Sequence, residues 1–360
     1  SSMIISRIAF RNLFRQRRRS LLTMLTMAVG FLLCSLSLGI ALGTYGSLID
    51  MFTRDHTGHV QVHVRGYLDK PSLYDTIGGL ELLGRKISSV PGVEAWTPRV
   101  LSPALASLGK KTSGARVVGV EPTRESETTR LKGKVSSGRF LSPHPSAEVM
   151  LGRGLAEVLR ADVGDEIVLI TQAADGSIAN DLYTVVGLVG SPTDTFGQMT
   201  CYMHLAAAQE FLVLPGRVHE VAIVVADESE SVAVADRMRV LLDDSALEVS
   251  PWQIVERWFY EAMQADIQGM WVSLGIIMAI VAIGVLNTVL MSILERTREF
   301  GVLRALGTRP TTLIKLVLLE TAYLSVIGII VGSAVSFLGN FLLSEYGIAY
   351  PTPIDYGGVR

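Results

Sequence analysis

Glu295-Arg296-Thr297-Arg298-Glu299-Phe300-Gly301-Val302-Leu303-Arg304-Ala305-Leu306-Gly307 is a dense patch of charge set between two apolar runs. Residues 269–294 before it and 321–344 after it contain no Asp, Glu, Lys or Arg. At ~1.5 Å per helical residue, each run is long enough to cross a hydrocarbon core about 30 Å thick. The patch therefore reads as a short loop between membrane helices. Written as a helix, it sets Glu295 and Glu299 at i,i+4 with Arg296, Arg298 and Arg304 around them, and gathers Phe300, Leu303 and Leu306 into an apolar stripe. A solvated loop has no use for such a stripe, so the segment reads as a docking element; the plainer alternative is an interfacial helix that only anchors the loop. Gly307 suits a helix C-cap, and Thr308 with Pro310 suits the start of the next helix.

The rest of the composition agrees. With 49% hydrophobic and 18% charged residues in 360, and a mean hydropathy of +0.39, the chain is too apolar for an ordinary soluble protein yet has room for a large aqueous domain. A net charge of −2 argues against nucleic acid as a partner, because phosphate binding calls for a basic face. Cys34 falls in an apolar run and Cys201 in the polar part, so no disulfide framework is implied.

Working outward, Arg7, Arg11 and Arg15 recur at i, i+4, i+8 and are followed by Arg17, Arg18 and Arg19, which predicts an amphipathic interfacial helix over 3–20. Residues 21–44 are the first uncharged span. The arginines before it put the amino terminus in the cytoplasm, and the basic residues between Arg296 and Lys315 put the loop over 295–312 there as well. Residues 45–268 then lie outside the membrane, 269–294 form the second span and 313–344 the third, and 345–360 begin an outer loop.

The external part alternates strand-like and helix-like stretches. Val60, Val62 and Val64 alternate with His59, Gln61 and His63, which predicts a strand with one polar face. A helical pattern follows over 76–90, then an extended stretch over 93–108; the same strand, helix, strand order returns over 218–226, 231–242 and 247–249. Two such units folded together give a ferredoxin-like layer of helices on a sheet. Residues 120–215 read as an insertion, β-rich over 163–189. Residues 251–268, with Trp252, Trp258, Phe259 and Tyr260, read as a helical stalk continuous with the second span.

Catalytic signals fail on inspection. Gly79 and Gly84 have the separation of a nucleotide-binding loop, but Arg85 stands where its lysine is required and no hydroxyl follows. His59 and His63 on one strand face lie ~13 Å apart at ~3.3 Å per residue, too far for one zinc ion. Asp162, Asp165 and Glu166 fit a polar turn before a strand. Gly39-x-x-x-Gly43 and Gly328-x-x-x-Gly332 permit close helix approach, within one protomer or between subunits.

The run E-R-T-R-E-F-G-V-L-R-A-L-G-T-R-P over 295–310 resembles the signature of the MacB/FtsX family of ABC-transporter permeases, which includes the Lol-type lipoprotein-release permeases. The stretches 148–156, 163–169 and 183–189 are similar to the family's extracytoplasmic domain, and the likeness extends over 10–341. The resemblance implies an integral membrane α-helical protein with extended stalks and a large extracytoplasmic α/β domain, in which a ferredoxin-like porter part carries an inserted β-rich sabre part. It further implies that Glu295 to Gly307 couple ATP hydrolysis on a separate ATPase to movement outside, so that the chain is no enzyme by itself. On this reading the chain binds no cofactor; ATP and Mg belong to the partner. The partners implied are two ABC ATPase subunits, a second permease copy or paralogue, the lipid bilayer and a periplasmic carrier or adaptor, with residence in a bacterial inner membrane. The family has a fourth membrane helix after this point, which the given chain does not include. Lipoprotein release is the leading task, with cargo entering near Leu36, Ile40, Met51 and Phe52; efflux of small molecules or peptides, and regulation of a cell-wall hydrolase without transport, are the alternatives.

The topology predicts that single cysteines at Arg298 and at Asp181 react with an impermeant thiol reagent from opposite faces of the membrane. Labelling of both from one side of sealed vesicles would overturn it.

Overall fold

The computed structural model describes residues 17–190 and 197–346. The interfacial helix expected over 3–20 falls outside these except for its last residues, which already belong to the first helix; the outer loop after Tyr346 falls outside them too. In chain order the elements are α1 (Arg17–Phe52), β1 (Val60–Val64), α2 (Leu80–Ser88), β2 (Val93–Leu108), β3 (Lys111–Val120), α3 (Pro122–Thr128), β4 (Val135–Gly138), β5 (Glu148–Gly152), α4 (Arg153–Leu159), β6 (Glu166–Gln172), β7 (Ile178–Val189), β8 (Thr200–His204), α5 (Leu205–Phe211), β9 (Glu220–Val225), α6 (Ser231–Leu242), β10 (Leu247–Pro251), α7 (Trp252–Val255), α8 (Arg257–Glu295), α9 (Thr297–Ala305) and α10 (Pro310–Tyr346). They fall into two compact units, one of residues 47–261 and one built from the chain before and after it.

In the first unit β1, β2, β9 and β10 lie in the order β10-β1-β9-β2, every neighbouring pair antiparallel. With α2 between β1 and β2, and α6 between β9 and β10, this is the ferredoxin-like arrangement. The helices contribute Leu83, Ile87, Val234, Ala235 and Met238 to the main core. β2 does not stop at the edge of that sheet. From Arg99 to Leu108 it pairs with β3, and the ring β2-β3-β8-β5-β7-β6 closes because β6 pairs with both β7 and β2. The β3–β8 and β5–β7 pairs are parallel and the others antiparallel, so the insertion is a mixed six-stranded barrel. Successive residues of its strands point to opposite faces. Val117, Leu151, Cys201 and Met203 join the main core, while Val118, Met150 and Tyr202 join a smaller one with Leu131 and Leu141.

The sequence-based expectations need four adjustments here. The helix expected over 76–90 begins at Leu80, because Gly79 is left-handed and Ile77 forms a β-bridge with Val218 instead. The barrel takes strands from ahead of residue 120, since β2 and β3 are part of its wall. The stalk expected over 251–268 is broken at Glu256, which separates the single turn of α7 from α8. Finally, β1 has no polar outer face. His59 and His63 are each 1% exposed, as buried as the valines between them. His59 Nδ1 accepts the Val225 N–H at 3.2 Å, so its ring is held neutral as an acceptor.

The second unit holds α9, α10 and the long apolar parts of α1 and α8. Among the described residues three helices are long and apolar enough to cross a membrane, over 21–57, Arg257–Glu295 and 310–342. Small residues bring them together. A Cβ on Gly332 would lie 3.1 Å from Ala28 Cα, and one on Gly328 3.0 Å from Met27 Cβ, so α10 approaches α1 through its Gly-x-x-x-Gly pair within one protomer. Gly39 of α1 faces Asn340, whose Nδ2 donates to Ser35 Oγ at 3.2 Å. Tyr45 of α1 donates its hydroxyl to the Asp266 carboxylate of α8.

Burial first, and the Arg54 charge next, lower the His59 pKa from 6.5 to about 4. The unfolded chain therefore takes up this proton before the folded one, and stability is lost as pH falls from 6.5 to about 4, with no further loss from this group below that. Thermal unfolding of the purified protein should show a falling midpoint across that window, and His59→Gln should flatten the slope there. An unchanged slope in the variant would remove His59 as the cause.

Candidate functional site

The charged patch folds as the sequence suggests, into a short helix between two long ones. α8 ends at Glu295, and Arg296 has a non-helical backbone that turns the chain. The Thr297 hydroxyl donates back to the carbonyl oxygens of Ile293 and Leu294, at 3.1 and 2.8 Å, satisfying groups the end of α8 would leave bare. α9 closes with Gly307 at φ +89°. The Thr308 N–H reaches the Leu303 carbonyl at 3.0 Å and the Gly307 N–H reaches that of Arg304 at 3.0 Å, the paired bonds of a Schellman cap. A side chain at Gly307 would be strained in this conformation. Pro310 then opens α10 where a missing N–H costs nothing.

Arg296 is the hub of this turn. Its Nη1 donates to both Glu320 carboxylate oxygens at 2.9 and 3.1 Å, its Nε donates to Glu299 Oε2 at 3.2 Å, and its guanidinium lies 5.2 Å over the Phe300 ring. The side chains of Arg296 and Glu320 are each 14% exposed. Burial alone would lower the Arg296 pKa, but Glu320 and Glu299 outweigh it and hold the guanidinium above its ordinary value. One turn of α10 is thereby pinned to the start of α9. Glu320 was legible in principle: it is the single acidic residue between Pro310 and Ser344, and a lone carboxylate in an apolar run calls for a partner.

The expected stripe is divided. Phe300 is half-buried beside Arg296, whereas Leu303 and Leu306 are exposed, Leu306 to 78%, and Val302 is exposed with them. Glu295, Arg298, Glu299 and Arg304 are also exposed around this short helix. The presented surface is therefore Val302, Leu303 and Leu306 ringed by charge, with Arg296 and Phe300 acting as its base. The residues expected along a cargo path fare differently. Ile40 is exposed and Leu36 and Met51 are half-buried, but Phe52 is 3% exposed, covered by Phe259 at a ring separation of 4.5 Å and by Trp258 at 6.5 Å. Phe52 is thus a packing residue here and offers no surface to a passing chain.

Residues 20–241 match the MacB-like periplasmic core domain, and residues 271–359 match the FtsX-like permease C-terminal domain. The chain belongs to the MacB/FtsX family of ABC permeases. Among proteins of known role, the permease is 25% identical to the lipoprotein-releasing system transmembrane protein LolC of Neisseria meningitidis serogroup B, over 98% of this chain and 90% of that one. It is 22% identical to the macrolide export ATP-binding/permease protein MacB 2 of Aeromonas hydrophila, over 95% of this chain and 53% of that protein. Against the crystal structure of the periplasmic region of MacB from Actinobacillus actinomycetemcomitans, the TM-score is 0.40 at 13% identity, covering 56% of this chain and 92% of that one. Family membership makes the permease a membrane protein with a periplasmic domain that works with a partner ATPase.

Breaking the Arg296–Glu320 pair leaves a largely desolvated charge, so Arg296→Ala and Glu320→Ala should each cost the permease about 1–3 kcal/mol, between the exposed and buried limits. The double variant should be no worse than the poorer single one, because the second change removes a charge the first left alone. Thermal unfolding of the four proteins in detergent tests this; fully additive losses would show that the pair does not act as a unit.

Proposed function

We propose that the permease extracts lipoproteins from the outer leaflet of the inner membrane, driven by a separate ATPase that grips α9. The observation that carries the cargo assignment is the end-to-end likeness to LolC, which spans 90% of that protein, where the likeness to MacB 2 spans 53%. The exposed Val302, Leu303 and Leu306, set on a helix pinned at Arg296, support the gripping role: an apolar face ringed by arginines and glutamates suits a groove in a partner. ATP and Mg bind the partner, two copies of which close on a pair of permeases, either two copies of this chain or this chain and a relative. The amino terminus and α9 are cytoplasmic and the domain of residues 47–261 is periplasmic. Movement of α9 is relayed through the long helices to that domain, which hands the lipoprotein to a carrier. The absence of Asp, Glu, Lys and Arg over 21–44 fits a surface that meets acyl chains rather than ions.

Depleting the permease in cells should strand lipoproteins in the inner membrane, and re-expression should release them. Leu303→Asp combined with Leu306→Asp should insert and fold normally, since both side chains are exposed in the free chain, yet fail to restore release. Pushing carboxylates into an apolar groove costs several kcal/mol, enough to weaken the ATPase complex at least ~100-fold in co-purification. Normal co-purification would refute the docking role. Normal lipoprotein sorting on depletion would refute the cargo and favour efflux or a regulatory task.

A further inference from the structure

A cavity of about 800 Å³ opens in the periplasmic unit where β2 leaves the ferredoxin-like sheet for the barrel. Its walls include Tyr67, Leu101, Leu131 and Tyr202, and its floor carries His63, Arg99, Glu125 and Glu220. Arg99 is 7% exposed and reaches both carboxylates. It bonds Glu125 through Nε at 3.1 Å and through Nη2, and Glu220 Oε1 through Nη1 at 3.2 Å, while Nη1 also donates to the His56 carbonyl. Glu125 is saturated, because Thr97 and Thr129 add hydroxyl donors at 2.9 and 2.8 Å.

Glu220 is not saturated. Its Oε2 lies 3.8 Å from His63 Nε2, beyond hydrogen-bond length. His63 is 1% exposed, stacked 5.2 Å from the Tyr67 ring at 13°, and neither ring nitrogen has a hydrogen-bond partner. Two buried carboxylates thus share one buried guanidinium. Asp55, also on the cavity, is matched by Lys134 at 2.9 Å, and Arg116 at the edge is exposed to water. One negative charge with an open oxygen is left beside an unpartnered imidazole, below an aromatic and aliphatic wall. Such a buried excess charge is strongly unfavourable unless a cation meets it.

We propose that this cavity binds an organic ammonium, with the cationic nitrogen between Glu220 Oε2 and the lone pair of His63 and the apolar stem along Tyr67, Leu101 and Tyr202. An ammonium group supplies the donors both acceptors lack, and the ring faces favour a cation over a neutral group. The same chemistry is carried by a free alkylamine and by a lysine side chain of an engaging protein.

Full-length permease in nanodiscs, labelled with ¹⁵N at histidine side chains, is titrated at neutral pH with n-butylamine, n-butanol and butanoate. Butylamine should shift one histidine's ring nitrogens saturably, a signal absent from His63→Gln, and butanol and butanoate should not. Glu220→Gln should weaken butylamine at least tenfold; if that variant does not fold, the comparison of the three compounds on the native protein decides. Displacement of butylamine by a lysine tripeptide capped at its α-amino terminus, with the ε-ammonium free, would assign the site to a protein side chain, and failure of the peptide beside success of the amine would assign it to a small molecule. Butanol binding as well as butylamine would overturn the proposal. So would a His63 ring doubly protonated at neutral pH and unmoved by the amine, because Glu220 would then have its counter-ion within the fold.

Discussion

The periplasmic unit depends on one strand that is too long for one sheet. β2 spends Val93 to Arg99 against β9 and Arg99 to Leu108 against β3, so the hydrogen-bond ladders of the ferredoxin-like sheet and the barrel are continuous through a single backbone. That continuity lets one core run beneath both, from Val62 and Ile223 to Leu151 and Met203, and burial of this kind is worth ~25 cal/mol per Å² of apolar surface. Two separately folded lobes on a flexible linker would each need a complete core; here neither does. The cost falls at the crossing point, where the strands part and a cavity opens around Arg99.

In the membrane unit the constraint is different. Lipid supplies no hydrogen bonds, so each crossing segment must satisfy its own backbone as helix, and helix ends must be finished by side chains or local turns. Thr297 finishes α8 and Gly307 finishes α9, which is why so short a helix can sit between two long ones without fraying. Close approach through Gly328 and Gly332 then brings α10 against α1. Because α9 is capped at its far end and pinned by Glu320 at its near end, Leu303 and Leu306 are carried on an ordered helix rather than on a loop.

Much of this was legible from local signals. Uncharged runs marked the membrane helices, Gly307 and Pro310 marked the boundaries of α9, and paired strand-helix-strand patterns marked the ferredoxin-like half, because each of these follows from spacing along the chain. What failed was whatever depends on a neighbour distant in sequence. β1 alternates as a half-exposed strand, yet β9 and β10 flank it and both its faces are covered, so His59 and His63 are core residues. Phe52 reads as open apolar surface until Phe259 and Trp258 close over it. The barrel closes through β6 and β2, whose pairing joins Leu105 to Ile170, and no periodicity announces a contact of that separation. Arg296 and Phe300 read as part of the presented patch, whereas they pack on each other beneath it, because the partner of Arg296, Glu320, lies nearly three helical turns into α10.

The two arginine centres of the permease make an instructive contrast. Around Arg296 the charges are largely desolvated but matched: Glu320 is held by two hydrogen bonds, and the second carboxylate, Glu299, is half exposed to water, which screens its charge. Around Arg99 the surplus is sealed in, with Glu125 and Glu220 both at or below 5% exposure. A fold selected only for stability would replace such a triad with apolar groups of the same shape, since a buried charge group is at best a weak stabiliser. Its position argues the same way. It lies where two sheets diverge around an open volume of about 800 Å³.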